Sequence, residues 1–94
     1  MEVKQKIETR ILRAEDGSRL TLEYCLLARL EPHPHRALCA PFGMEITLRT
    51  PQGARTAVCR NLTENHRRAL SLIHLFAARC VTPAAAPAPQ RRAV

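Results

Sequence analysis

Residues 11–22, ILRAEDGSRLTL, decide the fold of this chain. Asp16-Gly17 lies at the centre of this segment, between two runs in which apolar and polar residues alternate. Asp and Gly tolerate the positive φ angles that both central positions of a type I′ hairpin turn require. We therefore predict a β-hairpin whose two strands are joined by a two-residue loop at Asp16-Gly17.

Each strand of this hairpin has one apolar side. Alternation of apolar and polar residues is typical of a strand with one buried side. A two-residue loop predicts that residues 11, 7 and 3 lie opposite residues 22, 26 and 30, which joins the two apolar sides on one surface. The apolar residues concerned are Val3, Ile7 and Ile11 before the turn and Leu20, Leu22, Tyr24, Leu26, Ala28 and Leu30 after it.

A second hairpin is predicted after residues 31–42, whose three prolines favour a loop. Apolar residues alternate again over residues 43–50, and a further strand over residues 54–60 follows Pro51-Gln52-Gly53. Proline at the start and glycine at the end of this connection suit a three-residue loop. That loop predicts that residues 46 and 58, and residues 48 and 56, lie opposite each other.

An amphipathic helix is predicted from about residue 64 to residue 80, with Asn61 or Thr63 as its N-cap and Pro83 beyond its end. We predict an α+β fold in residues 1–83, in which a four-stranded antiparallel sheet of two hairpins carries this C-terminal helix on one face. The order of the two hairpins stays open. Residues 84–94 are predicted to be a disordered basic tail rich in Ala, Pro and Arg. The predicted apolar side of the helix consists of Ala69, Leu70, Ile73, Phe76, Ala77 and Cys80.

Length and composition predict a single small domain that stays in the cytosol. The chain has 94 residues and no apolar run long enough for a membrane span, and its first residues alternate in charge instead of forming a secretory leader. The four cysteines, Cys25, Cys39, Cys59 and Cys80, follow no disulfide pattern. We expect them to remain thiols in a reducing compartment.

The clearest group of chemically reactive side chains is His33, His35 and Cys39 in the proline-rich loop. Their spacing matches no standard zinc finger or ribbon, and the sequence identifies no fourth ligand, so metal binding there stays open. No glycine-rich phosphate loop or paired acid and base can be recognised. We therefore expect no enzyme activity, no cofactor and no small-molecule substrate.

One helix covers one face of a four-stranded sheet, which leaves the other face for water or a partner. Residue parity predicts that apolar side chains lie on that uncovered face, and Leu75 is predicted to be exposed on the helix. Our first hypothesis is accordingly a non-enzymatic interaction module that binds another protein or a second copy of itself. The predicted interface consists of Leu12, Cys25, Leu27, Ala57, Cys59 and Leu75.

The alternative hypothesis is an accessory nucleic-acid-binding protein. The net charge is +7, and residues 1–31 contain equal numbers of basic and acidic groups, so all the excess follows Glu31. A basic surface attracts phosphates, although the three aromatic residues are too few to stack on the bases of a single strand. The candidate phosphate contacts are Arg36, Arg49, Arg55, Arg67, Arg68, Arg91 and Arg92.

Three short segments resemble a family of short bacterial proteins catalogued as a domain of unknown function. They are residues 22–27 (LEYCLL), residues 42–46 (FGMEI) and residues 81–83 (VTP), in this order and spacing. The resemblance covers about residues 5–83. It implies a bacterial cytosolic origin and a shared fold, and it implies no activity, ligand or catalytic residue.

Overall fold

The computed structural model describes residues 2–29 and 41–85, which form one four-stranded antiparallel sheet and one long helix. The strand order is β1-β2-β3-β4, so the two hairpins, whose order the sequence left open, lie side by side as a meander. This confirms the predicted α+β fold. The elements are β1 (Glu2–Arg13), β2 (Arg19–Arg29), β3 (Phe42–Thr50), β4 (Gly53–Thr63), α1 (His66–Ala78) and a 3-10 helix (Pro83–Ala85).

The first hairpin has a three-residue loop, Glu15–Gly17, and the predicted two-residue loop is wrong. Ala14 N donates to Ser18 O at 2.9 Å, and Gly17 N donates to Ala14 O at 2.9 Å. Gly17 adopts a φ of 89°, which glycine tolerates because it has no Cβ. A turn closed by a left-handed residue is the usual form of a three-residue hairpin loop. The pairing next to the turn is therefore one residue away from the prediction.

The three-residue loop changes which residues of β1 point towards the helix beside the turn, and a β-bulge further along the strand changes this again. Leu12 pairs with Leu20 beside the turn and packs against the core, whereas Ile11 is 64% exposed on the opposite face. The pairing shifts between Lys6 and Glu8, and Ile7 at the bulge also packs against the core. We call the side of the sheet that α1 covers the helix face, and the other side the open face. The predicted positions of Leu12 and Ile11 are thus exchanged.

The second hairpin also differs by one residue, because its loop contains only Pro51 and Gln52. Thr50 pairs with Gly53, and Thr50 Oγ1 accepts a hydrogen bond from Gln52 N at 3.1 Å. The register aligns Ala57 with Ile46 and Cys59 with Met44, whose side chains belong to the core. Ala57 and Cys59 therefore lie on the helix face, which corrects their predicted place on the open face.

A second bulge lies near the end of β4. The pairing shifts between Met44, which lies opposite Cys59, and Phe42, which lies opposite Thr63. Asn61 lies in the extra segment with a φ of 59°, a conformation that asparagine adopts more readily than most residues. The backbone of β4 thereby folds close to Gly43: an added Cβ there would lie 2.4 Å from Cys59 O. The glycine is required by this close approach.

Helix α1 begins two residues later than predicted, with Asn65 as its N-cap in place of Asn61 or Thr63. The Asn65 side chain accepts a hydrogen bond from Arg68 N at 3.0 Å, which satisfies one of the free N–H groups of the first turn. All six residues of the predicted apolar side are part of the core or pack against it. The core cluster contains Leu22, Tyr24, Leu26, Met44, Ile46, Ala69, Ile73 and Ala77.

The helix ends in a Schellman motif. Val81 N donates to Phe76 O at 3.0 Å and Cys80 N donates to Ala77 O at 3.1 Å, with Cys80 at a φ of 51°. The hydroxyl of Tyr24, which is fully buried, donates to Val81 O at 2.8 Å. The end of the helix is therefore fixed to the centre of the sheet by a buried hydrogen bond.

Candidate functional site

The open face has a strong excess of positive charge. Strand pairing places seven basic and three acidic side chains on it, a formal net charge of +4. Because α1 lies on the other side, no second layer from the described ranges covers this face. The basic residues are Lys4, Lys6, Arg13, Arg19, Arg29, Arg49 and Arg60, and the acidic residues are Glu2, Glu23 and Glu45.

These charges are separated along the strands into three zones. The turn end, beside the first hairpin loop, contains Arg13, Arg19 and Arg49 and no acidic residue. The middle zone contains one basic and two acidic residues, and the far end contains three basic residues and one acidic residue. At about 3.3 Å per residue, Arg19 and Arg29 on β2 lie about 33 Å apart. The middle zone consists of Lys6, Glu23 and Glu45, and the far end of Glu2, Lys4, Arg29 and Arg60.

Ion pairs connect the strands across the middle zone. Lys4 Nζ donates to Glu45 Oε2 at 3.0 Å, and this hydrogen bond raises the pKa of Lys4. Glu23 is shared, with Arg49 Nε at 3.2 Å and Lys6 Nζ at 3.6 Å. The two carboxylates of the middle zone are thus held between basic side chains.

A bidentate ion pair joins the two edge strands at the far end. Arg60 of β4 donates from Nε and Nη2 to the carboxylate of Glu2 in β1, at 2.9 and 3.1 Å. These hydrogen bonds lower the pKa of Glu2. Leu27 lies between this bridge and the Lys4–Glu45 pair, and only 3% of its surface is exposed. The far end is covered by its own charged side chains.

The structure separates the residues that the interface hypothesis grouped together. Cys25 and Leu27 lie on the open face as predicted, but they are 7% and 3% exposed. Leu12 and Cys59 lie on the helix face, while Leu75 on α1 is 43% exposed. Ile11, which the sequence had assigned to the core, is the most exposed large apolar residue of the open face at 64%.

The candidate phosphate contacts are also divided between the two sides. Arg49 lies on the open face, whereas Arg55 lines a groove on the helix face together with Leu48 and Pro83. Arg67 and Arg68 are exposed at the start of α1. Residues 30–40 and 86–94 lie outside the described residues, and with them the residues His33, His35, Arg36, Cys39, Arg91 and Arg92. Of the tail predicted over residues 84–94, only Ala84 and Ala85 are described, and they belong to the 3-10 helix.

Most basic residues of the open face were missed by sequence reasoning, which searched only the part of the chain after Glu31 for excess charge. The first hairpin is electrically balanced as a segment but unbalanced by face, because Glu8 points towards the helix and Glu15 and Asp16 lie in the turn. Residue parity with Cys25 would have identified Arg19 and Arg29. Parity could not have identified all the residues of β1, because the bulge at Ile7 changes it midway.

All three aromatic residues of the chain lie on the helix side. Tyr24 belongs to the core, and Phe42 and Phe76 pack against it. Phe42 also meets the ring of His66 edge to face, with the ring centres 5.3 Å apart. The open face therefore has no aromatic ring on which a nucleic-acid base could stack.

A histidine and a carboxylate meet at the edge of the helix face. Nδ1 of His74 lies 2.6 Å from Glu8 Oε2, and the other Glu8 oxygen accepts from Arg10 Nη1 at 3.2 Å. Arg10 Nε donates to Ala77 O at 3.1 Å, close to the negative end of the helix dipole. No hydroxyl or thiol of the described residues hydrogen-bonds His74. The contacts of this cluster attach the end of α1 to β1.

Three cysteines lie within the described residues and form no disulfide bond there: Cys25, Cys59 and Cys80. Burial raises the pKa of Cys25 and of Cys59, which keeps both in the unreactive protonated form near neutral pH. Within residues 2–29 and 41–85, no three side chains of the metal-ligating types cluster closely enough to hold an ion.

Comparison with known protein families identifies the family of this chain. A family model described as "Family of unknown function (DUF6514)" matches residues 3–87. The chain belongs to this family. The match confirms that the resemblance found in the sequence is to a family of unknown function. No curated protein and no solved structure matches this DUF6514 chain. None of the helices described here is both long enough and apolar enough to span a bilayer.

Proposed function

We propose that this DUF6514 chain is a non-enzymatic cytoplasmic protein of bacteria that binds nucleic acid by contacting its phosphates with the open face. The observation that carries the proposal is the formal charge of +4 on one uncovered sheet face. A basic patch concentrated on one face is the electrostatic footprint of nucleic-acid binding. Guanidinium groups are well suited to phosphates because they donate two parallel hydrogen bonds.

The turn end contributes most to this binding. Arg13 and Arg19 have no carboxylate partner in the part of the chain that is described, and Arg13 donates only to Gly17 O at 3.1 Å. A phosphate can therefore bind them without displacing an existing ion pair. The basic residues already paired with carboxylates neutralise fewer phosphates, so they release fewer of the counterions condensed on the nucleic acid. We expect the salt dependence to follow the net charge of the face, a slope of about −3.6 in log K against log[salt] on B-DNA.

The alternative, a module that binds another protein or a second copy through apolar contacts, has less support. On the described open face Leu27 is covered, Val58 is partly buried and Ile11 is strongly exposed, while the exposed Leu75 lies on α1. A specific protein interface normally has an apolar centre of aromatic or aliphatic residues. The open face has charged side chains at that position instead.

The proposal is tested by fluorescence anisotropy with a labelled DNA duplex, measured at several salt concentrations. Replacing Arg13 and Arg19 by Gln should weaken binding and bring the salt slope from about −3.6 to about −1.8, since two phosphate contacts are lost. The matched control replaces Arg67 and Arg68 by Gln, which removes the same charge from the helix layer. We expect the salt slope of the control to stay nearer to about −3.6 than to about −1.8.

Two results would refute the proposal. One is that the wild-type protein does not bind duplex or single-stranded nucleic acid even at low salt. The other is that both double variants weaken binding equally, which would mean that the overall charge attracts the ligand and the open face has no special role. Circular dichroism of each variant checks that it is folded.

A further inference from the structure

The arrangement of charge on the open face points to a duplex as the preferred ligand, and we infer that the protein prefers double-stranded to single-stranded nucleic acid. This inference rests on the proposed function. It uses a different property of the same face: the turn end has a formal charge of +3, the middle zone −1 and the far end +2. The face therefore offers two separate sites for phosphates with an acidic zone between them.

A duplex matches this spacing. On one side of B-DNA the phosphates form two backbone ridges that flank a major groove about 12 Å wide. The basic residues next to the middle zone, Arg49 opposite Thr21 and Lys4 opposite Leu27, lie six residues apart along β2, about 20 Å at about 3.3 Å per residue, which is enough for each to reach one ridge. Glu23 and Glu45, in the middle zone, would face that groove and would not face a row of phosphates.

A single strand fits the same face less well, for two reasons. An extended strand carries its phosphates continuously past the middle zone, where Glu23 and Glu45 repel them. Proteins that bind single strands also gain about 1–3 kcal/mol per base by stacking bases on aromatic rings. Every aromatic residue of this chain lies on the helix side, so this stabilisation is missing.

Hydroxyl groups complete a face suited to the nucleic-acid backbone. Thr9, Thr21 and Thr56 lie on the open face between the charged residues. Side-chain hydroxyls commonly donate hydrogen bonds to phosphate oxygens, and such contacts position a duplex without reading its sequence. We therefore expect little sequence preference.

The test compares duplexes of about 24 base pairs, roughly two helical turns, with the corresponding single strands, in both DNA and RNA. Binding is measured by competition against one labelled duplex at equal phosphate concentration. We expect at least one duplex to compete about tenfold better than its own separated strands. Equal or better competition by the strands overturns the inference and leaves the proposed function standing. Absence of binding to every nucleic acid refutes the proposed function itself.

A second variant isolates the acidic middle zone. Replacing Glu23 and Glu45 together by Gln should strengthen binding of single strands more than binding of duplexes, so the preference for duplex should fall about threefold or more. The control is Glu64→Gln, which removes a carboxylate from an exposed position beside α1. The inference is overturned if the double variant leaves the preference unchanged, or if Glu64→Gln lowers it equally.

Discussion

Tyr24→Phe tests how the end of the helix is held to the sheet. The Tyr24 ring is fully buried, and its hydroxyl donates to Val81 O at 2.8 Å. Phenylalanine keeps the ring and removes only the donor, which leaves the Val81 carbonyl without that hydrogen bond. Loss of one partner of a buried hydrogen bond costs about 1–2 kcal/mol. For a domain of this size, we expect the melting temperature to fall by about 5–10 °C.

The same substitution should change how stability depends on pH. Burial raises the pKa of Tyr24 to about 12, from its ordinary value of 10.0. Below pH 10 the phenol of Tyr24 is neutral in both the folded and the unfolded chain. Between pH 10 and 12 it ionises only in the unfolded chain, so the stability of the folded wild-type protein falls as pH rises. A difference of about two pKa units corresponds to about 2–3 kcal/mol.

The measurement is urea denaturation of wild type and Tyr24→Phe, followed by circular dichroism at pH 7 and at steps up to pH 11. The lysines and cysteines titrate in both proteins, so the difference between the two curves isolates Tyr24. We expect the variant to be less stable at pH 7 and the gap to narrow above pH 10. Equal stability at pH 7, or a gap that stays constant up to pH 11, would show that the Tyr24 hydroxyl is not buried against Val81.

Two further substitutions test the register of the sheet. Leu12→Ala should lower the free energy of unfolding by about 2 kcal/mol because Leu12 packs against the core. Ile11→Ala should lower it by less than about 1 kcal/mol because Ile11 is 64% exposed. Chemical denaturation gives both values, and a larger loss for Ile11→Ala would mean that the first hairpin has a two-residue loop. Gly43→Ala should cost about 1–3 kcal/mol, because the new Cβ would lie 2.4 Å from Cys59 O and 2.9 Å from Arg60 Cα. An unchanged denaturation midpoint for Gly43→Ala would mean that β4 does not approach this residue.

The elements and the core side of the helix could be predicted from sequence because each depends on local periodicity. Ile73 and Ala77 follow the spacing of a helix, and Tyr24 and Leu26 follow that of a strand. These patterns stay the same when the predicted length of a hairpin loop is wrong by one residue. The fold class is therefore robust to mistakes about how the strands pair.

The pairing and the site could not be predicted in the same way. Asp16-Gly17 suits both a two-residue and a three-residue loop, since each needs a residue such as Gly17 at positive φ. The choice decides which side Ile11 and Leu12 take. The bulge at Ile7 then reverses this assignment for the first half of β1, and no residue type in that segment predicts a bulge. The charge of the open face depends on all these choices together.

The bulges in the two outermost strands also limit how copies of this chain can combine. Regular pairing with a neighbouring molecule needs an uninterrupted ladder of N–H and C=O groups, and Ile7 interrupts it on one side while Asn61 interrupts it on the other. Lysines at positions 4 and 6 add charge to the first of these borders. Growth into ribbons or fibrils by strand addition is thus discouraged at both borders, which helps a small β-rich protein remain dispersed at high concentration.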